Sequence, residues 1–408
     1  MLPTHRLPPS PGASFSLLHG IRVLDLTTSI AGPYATQLLA DLGAEVLKVE
    51  RPGAGDDCRA WGPPFLDGES LWFLSVNRNK RSLTLDYVAD AGRRVLEALV
   101  RRADVVVVNL MPAVQEKLGV SSAALRSRRP DLIHVSVTGF GCTGARRDFP
   151  CYDLVAEGHS GVMDLTGEPS GAPQKVGTPA ADLLAGADAA LATLAAIFDR
   201  QRTGRGHAID ISMVESMTRF MAPRLVPYLG SGELPRRSGA RDSVIAVYQV
   251  FDAADLPLTL GLGNDGIWKR FWAAVGLPER GEDPRRRTNV DRRAARAEIV
   301  AEIQGILATR PRAEWLRIFA EARVPAGPIN RLDEVAADPM LAERQLLFSL
   351  PGREHPIPQV GLGIRIDDRA SGANLPPPRL GEHTDEALRE WAGCDEQQIA
   401  ALRAERII

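Results

Sequence analysis

The sequence predicts an α/β fold, a doubly wound parallel sheet covered by helices on both faces, with a second, smaller α+β domain. Three observations carry the prediction. From residue 20 onward, short apolar runs alternate with amphipathic segments. Runs such as "DVVVVNL" are apolar throughout, as in strands buried on both faces. A chain of 408 residues also exceeds what one hydrophobic core ordinarily organises.

The elements read in order. "MLPTHRLPPSPGASFS" is rich in Pro and Ser and lacks a continuous apolar stretch, so residues 1–17 are expected to form a loose tail and not a signal peptide. "GIRVLDL" reads as a strand, "PYATQLLADLGA" as a helix, and "EVLKVE" and "RSLTLDY" as strands. "DAGRRVLEALVRRA" reads as a helix, followed by the strands "DVVVVNL" and "DLIHVSV". Sheets of this kind bind ligands at the carboxyl ends of their strands, here the loops "TTSIAGP", "ERPGAGDD", "NLMPA" and "TGFGCTG". No G-x-G-x-x-G follows any strand, which leaves a dinucleotide site unsupported. "TPAADLLAGADAALATLAAIF" starts a helix with Thr178 as N-cap and Pro179 in the first turn. The polar, Gly-rich stretch 228–243 marks a boundary. Beyond it, "VIAVYQVFDAADLPLTLGLG" reads as a hairpin, and "IWKRFWAAVGL", "RRAARAEIVAEIQGILATR" and "PRAEWLRIFAEARV" as helices, giving a small α+β domain at 225–330. The basic run 285–298 is expected to be a solvated helix face. "PPPRLGEHTDEALREWAG" is a Pro-rich lead into a final helix.

Composition excludes several functions. A net charge of −2 provides no basic field for nucleic acid or an anionic membrane, and no run is expected to approach a membrane span. Cys58, Cys142, Cys151 and Cys394 are scattered, which fits a reducing cytoplasm and argues against disulfides or a thiolate zinc site. The seven histidines form no H-E-x-x-H, so metal catalysis has no support.

Asp182 is the residue that raises a chemical question, because it enters an otherwise small and apolar helical run. The exposed N–H groups and dipole of a helix N-terminus favour a carboxylate there without any further role. Local sequence leaves both readings open.

Seven phrases in order decide between them: "LDLTTSIAGPYATQLLADLGAEVLKVERPGAGD", "LSVNRNKRSLTLD", "YDLVAEGHSGVMDLTG", "TPAADLLAG", "RTGRGHAIDISMVES", "VPAGPIN" and "RLGEHT". Together they resemble the class III CoA-transferase family, of the formyl-CoA transferase and carnitine-inducible type. The resemblance implies a Rossmann-like large domain of residues 18–224 plus 331–408, the small domain between them in sequence, and an interlocked homodimer. It implies that Asp182 is the nucleophile, and that coenzyme A or acyl-CoA is bound as substrate with no permanent cofactor. By motif position it assigns CoA contacts to Ser29, Ile30, Ala31, Arg51, Leu85, Asp86, Tyr87, Val88, Asn109, Leu110, Met111, Lys117, Thr138, Gly139, Phe140 and Gly141. It places Trp61, Trp72 and Tyr152 at the acyl substrate. Ile30 stands where formyl-CoA transferase carries Gln, and "GLGNDG" stands in place of its four glycines.

The stretch "RPGAGDDCRAWGPPF…LSVNRNKRS" resembles the succinyl-CoA:glutarate branch, whose acceptor is a dicarboxylate. Arg59, Arg78 and Arg241 are the candidates for its second carboxylate, and a structural salt bridge is an equal reading of each. The sister racemases of the same fold carry Gly-His-Asp where this chain reads "CYD", so Tyr152 replaces their His and only His159 lies nearby as a substitute. A non-catalytic acyl-CoA-binding subunit would not need Asp182.

Overall fold

The computed structural model describes residues 3–408. They fall into two compact units: one runs up to Ser160 and adds Val176–Ala222 and Asp338–Ile408, the other comprises Gly161–Lys175 and Pro223–Ala337. The division expected from sequence, at 225 and 330, leaves 161–175 and 331–337 in the larger part; the structure gives both segments to the smaller unit.

The larger unit is built on six strands: β1 (Arg22–Leu26), β2 (Glu45–Glu50), β3 (Lys80–Thr84), β4 (Val105–Val108), β5 (Ile133–Thr138) and β6 (Ala208–Ser212). All pair in parallel, in the order β3-β2-β1-β4-β5-β6. This is the order of a Rossmann-type sheet, with its switch point between β1 and β4. Four consecutive buried valines form β4, as a central strand covered on both faces requires. The edge strand β6 was not anticipated: its "AIDIS" alternates exposed and half-buried positions, a pattern that a search for continuous apolar runs passes over.

Helices α1 (Ala31–Asp41), α2 (Asp90–Arg102), α3 (Pro112–Leu118), α4 (Asp153–Ser160) and α5 (Ala180–Thr203) complete the first part of this unit. In α2, Val95, Leu96, Leu99 and Val100 form the buried stripe, while its arginines face outward. The small residues of α5 let it lie close against α1. A Cβ on Gly186 would stand 2.6 Å from the Ala31 carbonyl oxygen, so only glycine permits this approach. The helix α5 is 24 residues long and reaches a mean hydropathy of 1.6 over its most apolar 18-residue window, which makes it long and apolar enough to cross a membrane. The expectation that no run reaches this limit is therefore corrected. Its length comes from Ala-rich packing, with Ala181, Ala185, Ala189 and Ile197 buried.

In the smaller unit, β7 (Tyr248–Asp252) and β8 (Pro257–Gly261) form the expected hairpin, and β9 (Ala326–Pro328) adds antiparallel to β8. Helices α6 (Asp265–Ala274), α7 (Arg296–Leu307) and α8 (Arg312–Glu321) cover it with Trp268, Phe271, Trp272, Ile303, Trp315 and Phe319. The run 285–298 is not a solvated face throughout. Arg286 is buried against Glu298 and Glu302, and Arg292 is buried 4.5 Å over the Trp268 ring.

The chain returns to the larger unit through β10 (Leu347–Leu350), β11 (Ile357–Val360) and α9 (Glu396–Ala404). The tail is not loose: Ser10 N–H donates to Ser349 O at 3.1 Å, Ser349 N–H to Pro8 O at 2.8 Å, and Thr4 Oγ1 to Pro356 O at 2.7 Å. Far along the chain, Ile407 accepts the Asp86 N–H at 2.8 Å.

Three fully buried charges lie on neighbouring strands, Asp25 on β1 level with Lys48 on β2, and Lys80 on β3 level with Val46, two residues along. Lys80 Nζ donates to Asp25 at 3.1 Å, to Pro33 O at 2.8 Å and to Asn77 at 2.7 Å. Lys48 Nζ donates to Thr27 O at 2.7 Å and pairs with buried Asp56 at 2.9 Å. Burial pulls the Lys80 ammonium down to about 8. Burial acts on Lys48 in the same sense, but the Asp56 and Asp25 carboxylates outweigh it and hold its proton more firmly than usual.

Candidate active site

Asp182 lies in the first turn of α5, half-buried, but Thr178 does not cap that helix. The cap is Asp153, the first residue of α4, whose Oδ1 accepts the N–H groups of Ala181 at 2.8 Å and Asp182 at 3.2 Å. A helix N-terminus favours one negative charge, and here Asp153 occupies it. Asp182 is left beside a like charge in a partly dry setting. Burial, then the Asp153 charge, raises its carboxyl from 3.8 to about 7. The helix end was expected to hold Asp182 ionised; its donors serve the neighbour instead.

Leu183 packs on a cluster of Ile30, Cys58, Phe73 and Val76, joined by Tyr34 and Trp61. Burial and the Asp182 charge push the Cys151 thiol up to about 11, marking it as a neighbour of Asp182. A Cβ on Gly139 would lie 2.1 Å from Cys151 Cβ, so glycine there lets the loop after β5 close over this residue. Phe140 packs edge-on to His159 at 5.1 Å, and His159 Nδ1 lies 3.4 Å from Arg146.

The predicted CoA contacts all follow the carboxyl ends of strands or lie one short helix beyond. Residues 85–88 follow β3, Arg51 follows β2, Ser29–Ala31 follow β1, Asn109–Met111 follow β4, and Thr138–Gly141 continue β5. Given the strand order, these segments form a row along one edge, with the switch point at Ser29–Ala31 and Asn109–Met111. Asn109 clamps that point, accepting Thr28 N–H at 3.0 Å and donating to Thr28 O at 2.7 Å. Ser29 has φ +69°, a left-handed backbone held by Asp56, whose Oδ1 accepts its N–H at 2.9 Å. Arg51 is paired with Asp57, and its charge opposes the burial that raises the Tyr87 phenol. Val88, Met111 and Lys117 are exposed, while the Ile30, Ala31 and Leu85 side chains are buried, so these three offer mainly backbone. Leu110 and Asp86 are half-buried, and the Thr138 hydroxyl accepts the Gly141 N–H at 2.9 Å.

Trp61 and Trp72 meet edge-on at 6.1 Å, and Tyr152 is 67% exposed. Two of the arginine candidates are corrected. Arg59 grips Glu50 through two bonds of 2.7 and 2.8 Å, also pairs with Glu69, and lies 3.6 Å over the Phe73 ring. Arg78 is buried in a bidentate pair with Asp41 at 2.6 and 3.0 Å. Every guanidinium nitrogen of both already donates to a protein acceptor, Arg59 to Glu50, Glu69 and Pro378 O and Arg78 to Asp41 and Gln359, so the Nε–Nη2 fork of each is taken. Arg241 is exposed on the smaller unit. Sequence reasoning missed Asp153, Asp56 and Lys48; the one available signal was Asp153 opening a helix in "CYDLVAEG".

The sequence matches the profile described as CoA-transferase family III over residues 18–384. It is 39% identical over 380 residues to the succinate–glutarate CoA-transferase of Agrobacterium fabrum, covering 91% of this chain and 95% of that one. It is 35% identical over 405 residues to the acetyl-CoA:oxalate CoA-transferase of Acetobacter aceti, covering 98% of both. A CaiB/BaiF family protein of Brucella suis superposes with a TM-score of 0.79 at 36% identity, over 95% of this chain and 98% of the other. Matched over nearly its whole length and built on the same parallel sheet, the chain belongs to CoA-transferase family III.

Proposed function

We propose that this chain moves coenzyme A from succinyl-CoA to a dicarboxylic acid through an aspartyl-CoA thioester on Asp182, acting as a cytoplasmic homodimer without a permanent cofactor. One observation carries the reading: among the described residues no cation pairs with the Asp182 carboxylate, which stands half-buried beside the carboxyl-edge loops of the sheet. Structural aspartates in this fold, such as Asp25, Asp41 and Asp56, are paired with lysine or arginine. The di-acid substrate follows the names of the two relatives above, whose acceptors are glutarate and oxalate.

The steps follow from the carboxylate. Asp182 attacks the thioester carbonyl, the C–S bond breaks, and a mixed anhydride and CoA thiolate form. The thiolate attacks the Asp182 acyl carbon, releasing succinate and leaving the aspartyl thioester. The acceptor carboxylate attacks that thioester, expelling the thiolate and forming a second anhydride. Thiolate attack on the acceptor's carbonyl carbon gives the new acyl-CoA and restores the Asp182 carboxylate. The chain's part is to hold Asp182 and exclude water from the anhydrides, which Leu183 and the Ile30 cluster assist. A carboxylate raised to about 7 is a stronger nucleophile than one near 4, and it reaches its ionised form closer to neutral pH.

Incubation with succinyl-CoA, trapping with hydroxylamine and mass spectrometry of the tryptic peptide 176–200 test this reading. A hydroxamate on Asp182 is expected; an unmodified peptide under conditions of measured turnover would refute the covalent route.

Asp153→Asn keeps an oxygen for both helix N–H groups and removes the charge facing Asp182. The acid limb of kcat/KM for succinyl-CoA should therefore move to lower pH, by about half a unit to one unit. A pH–rate profile of the variant checks this, and an unmoved limb would show that burial alone sets the titration.

A further inference from the structure

The phrase "RLGEHT", residues 379–384, has no part in the chemistry of Asp182, yet it lies against an open side of the sheet. β3 is an outermost strand, paired along one edge with β2. Its other edge turns the backbone groups of Ser82, Thr84 and Asp86 outward, where a neighbouring strand would ordinarily meet them. Among the described residues no strand does. Instead, Ser82 N–H donates to His383 Nδ1 at 3.3 Å, and Ser82 O accepts the His383 N–H at 2.9 Å. Thr84 N–H donates to Thr384 Oγ1 at 3.1 Å, and Asp86 N–H to Ile407 O at 2.8 Å. An imidazole and a hydroxyl thus stand where carbonyl oxygens would. Because Nδ1 accepts, the ring carries its proton on Nε2.

The same segment touches both loops that leave this side of the sheet. Gly381 has φ +67°, and a Cβ there would stand 3.1 Å from Thr84 Oγ1, so glycine brings the turn onto the end of β3. Its N–H donates to Ser82 Oγ at 2.9 Å, and that hydroxyl donates to Glu50 at 2.7 Å. Leu380 reaches the loop after β2, where a Cβ on Gly55 would lie 2.9 Å from its Cδ1. Arg59 donates to Pro378 O at 3.1 Å while it grips Glu50. Residues 378–384 therefore stitch the ends of β2 and β3 together, immediately before Arg51 and residues 85–88. Those are two of the segments that the family resemblance assigns to coenzyme A.

We infer that His383 and Thr384 are positioning residues for coenzyme A: by completing the free edge of β3 they hold residues 85–88 and the Arg51 loop in the arrangement that binds it. The inference rests on the reading of acyl-CoA as substrate and not on the covalent route through Asp182. When the edge is opened, only a fraction of the molecules keeps the binding arrangement, and the apparent Kd rises by the inverse of that fraction.

Calorimetric titration of the full chain with coenzyme A is the test, beside a thermal melt of each variant. His383→Leu and Thr384→Val remove the two acceptors, and each should raise the Kd about fivefold or more. His383→Asn and Thr384→Ser keep an oxygen at the same branch, and should hold the Kd within about twofold of wild type. In steady state the loss should fall on the KM for acyl-CoA, with the KM for the acceptor unchanged. Lower melting with an unchanged Kd in both disruptive variants would leave the pair a structural cap and overturn the inference. So would a His383→Asn protein that binds as weakly as His383→Leu, because the imidazole would then be a direct ligand. If one disruptive variant fails to fold, the other is read against the two conservative ones. Absence of binding by wild type would overturn this inference and the acyl-CoA reading together. Firm binding without a hydroxamate on Asp182 would overturn the covalent route alone and leave this inference standing.

Discussion

Replacing Asp182 with Asn is expected to lower turnover by about a thousandfold or more and, above neutral pH, to make the protein more stable. The first effect follows from chemistry. An amide cannot become the mixed anhydride or the thioester, so the variant keeps binding and loses both covalent steps. The second follows from burial. In the folded chain the Asp182 carboxyl is raised from 3.8 to about 7, so between these values the native state binds its proton more tightly than the unfolded state does. Stability therefore falls as pH rises from about 4 to 7, and above 7 the full cost of the buried anion is present. Solvent screening at this half-exposed residue reduces that cost to about 1–2 kcal/mol. Asn removes it. Melts at pH 8 should show the variant above wild type, with the gain shrinking at pH 5. Equal melting at both values would mean that Asp182 is better solvated than its surroundings indicate.

Lys48→Met is the second large effect, and it falls on stability. Lys48 is fully buried between Asp56 and the Thr27 carbonyl, and methionine would leave the Asp56 carboxylate without its cation. Removing one member of a buried pair costs about 3–5 kcal/mol, most of it from the charge left behind. Urea unfolding should report that loss. Asp56→Asn in the same chain should recover part of it, because the orphaned charge is gone while an oxygen remains for Ser29 and Cys58. Asp56 also holds Ser29 in its left-handed conformation, so surviving Lys48→Met protein should show a raised KM for acyl-CoA. A variant with wild-type stability would show that water enters and replaces the ammonium.

The sheet was legible because its strands are buried and local. "RVLDL", "EVLKVE" and "VVVV" announce themselves by composition alone. What escaped was made of pairings that no window of sequence contains. The edge strand Ala208–Ser212 and the hairpin Leu347–Leu350 with Ile357–Val360 carry polar or Pro-broken patterns that become strands only through their partners. The same holds at the site. Asp182 stood out as a carboxylate among alanines, but its cap lies 29 residues away in Asp153. For Arg59 and Arg78 the sequence leaves a substrate contact and a structural salt bridge equally open, because it does not show that Glu50 and Asp41 face them. Charge is visible in a sequence; the use to which it is already put is not.

The stitching of the larger unit also sets the order of events during synthesis. Arg81, beside β2 at the sheet edge, is paired with Glu386, a partner 305 residues later, and Asp86 waits for Ile407. Leu388 and Trp391 fill the same core as Leu83 and Leu99. A chain emerging from the ribosome therefore carries the β3 side of its sheet uncovered until residues 384–408 have been made, while the contiguous stretch 223–337 can close first. Truncation of residues 384–408 should leave Leu83 and Leu99 uncovered and drive the chain into aggregation, which light scattering checks.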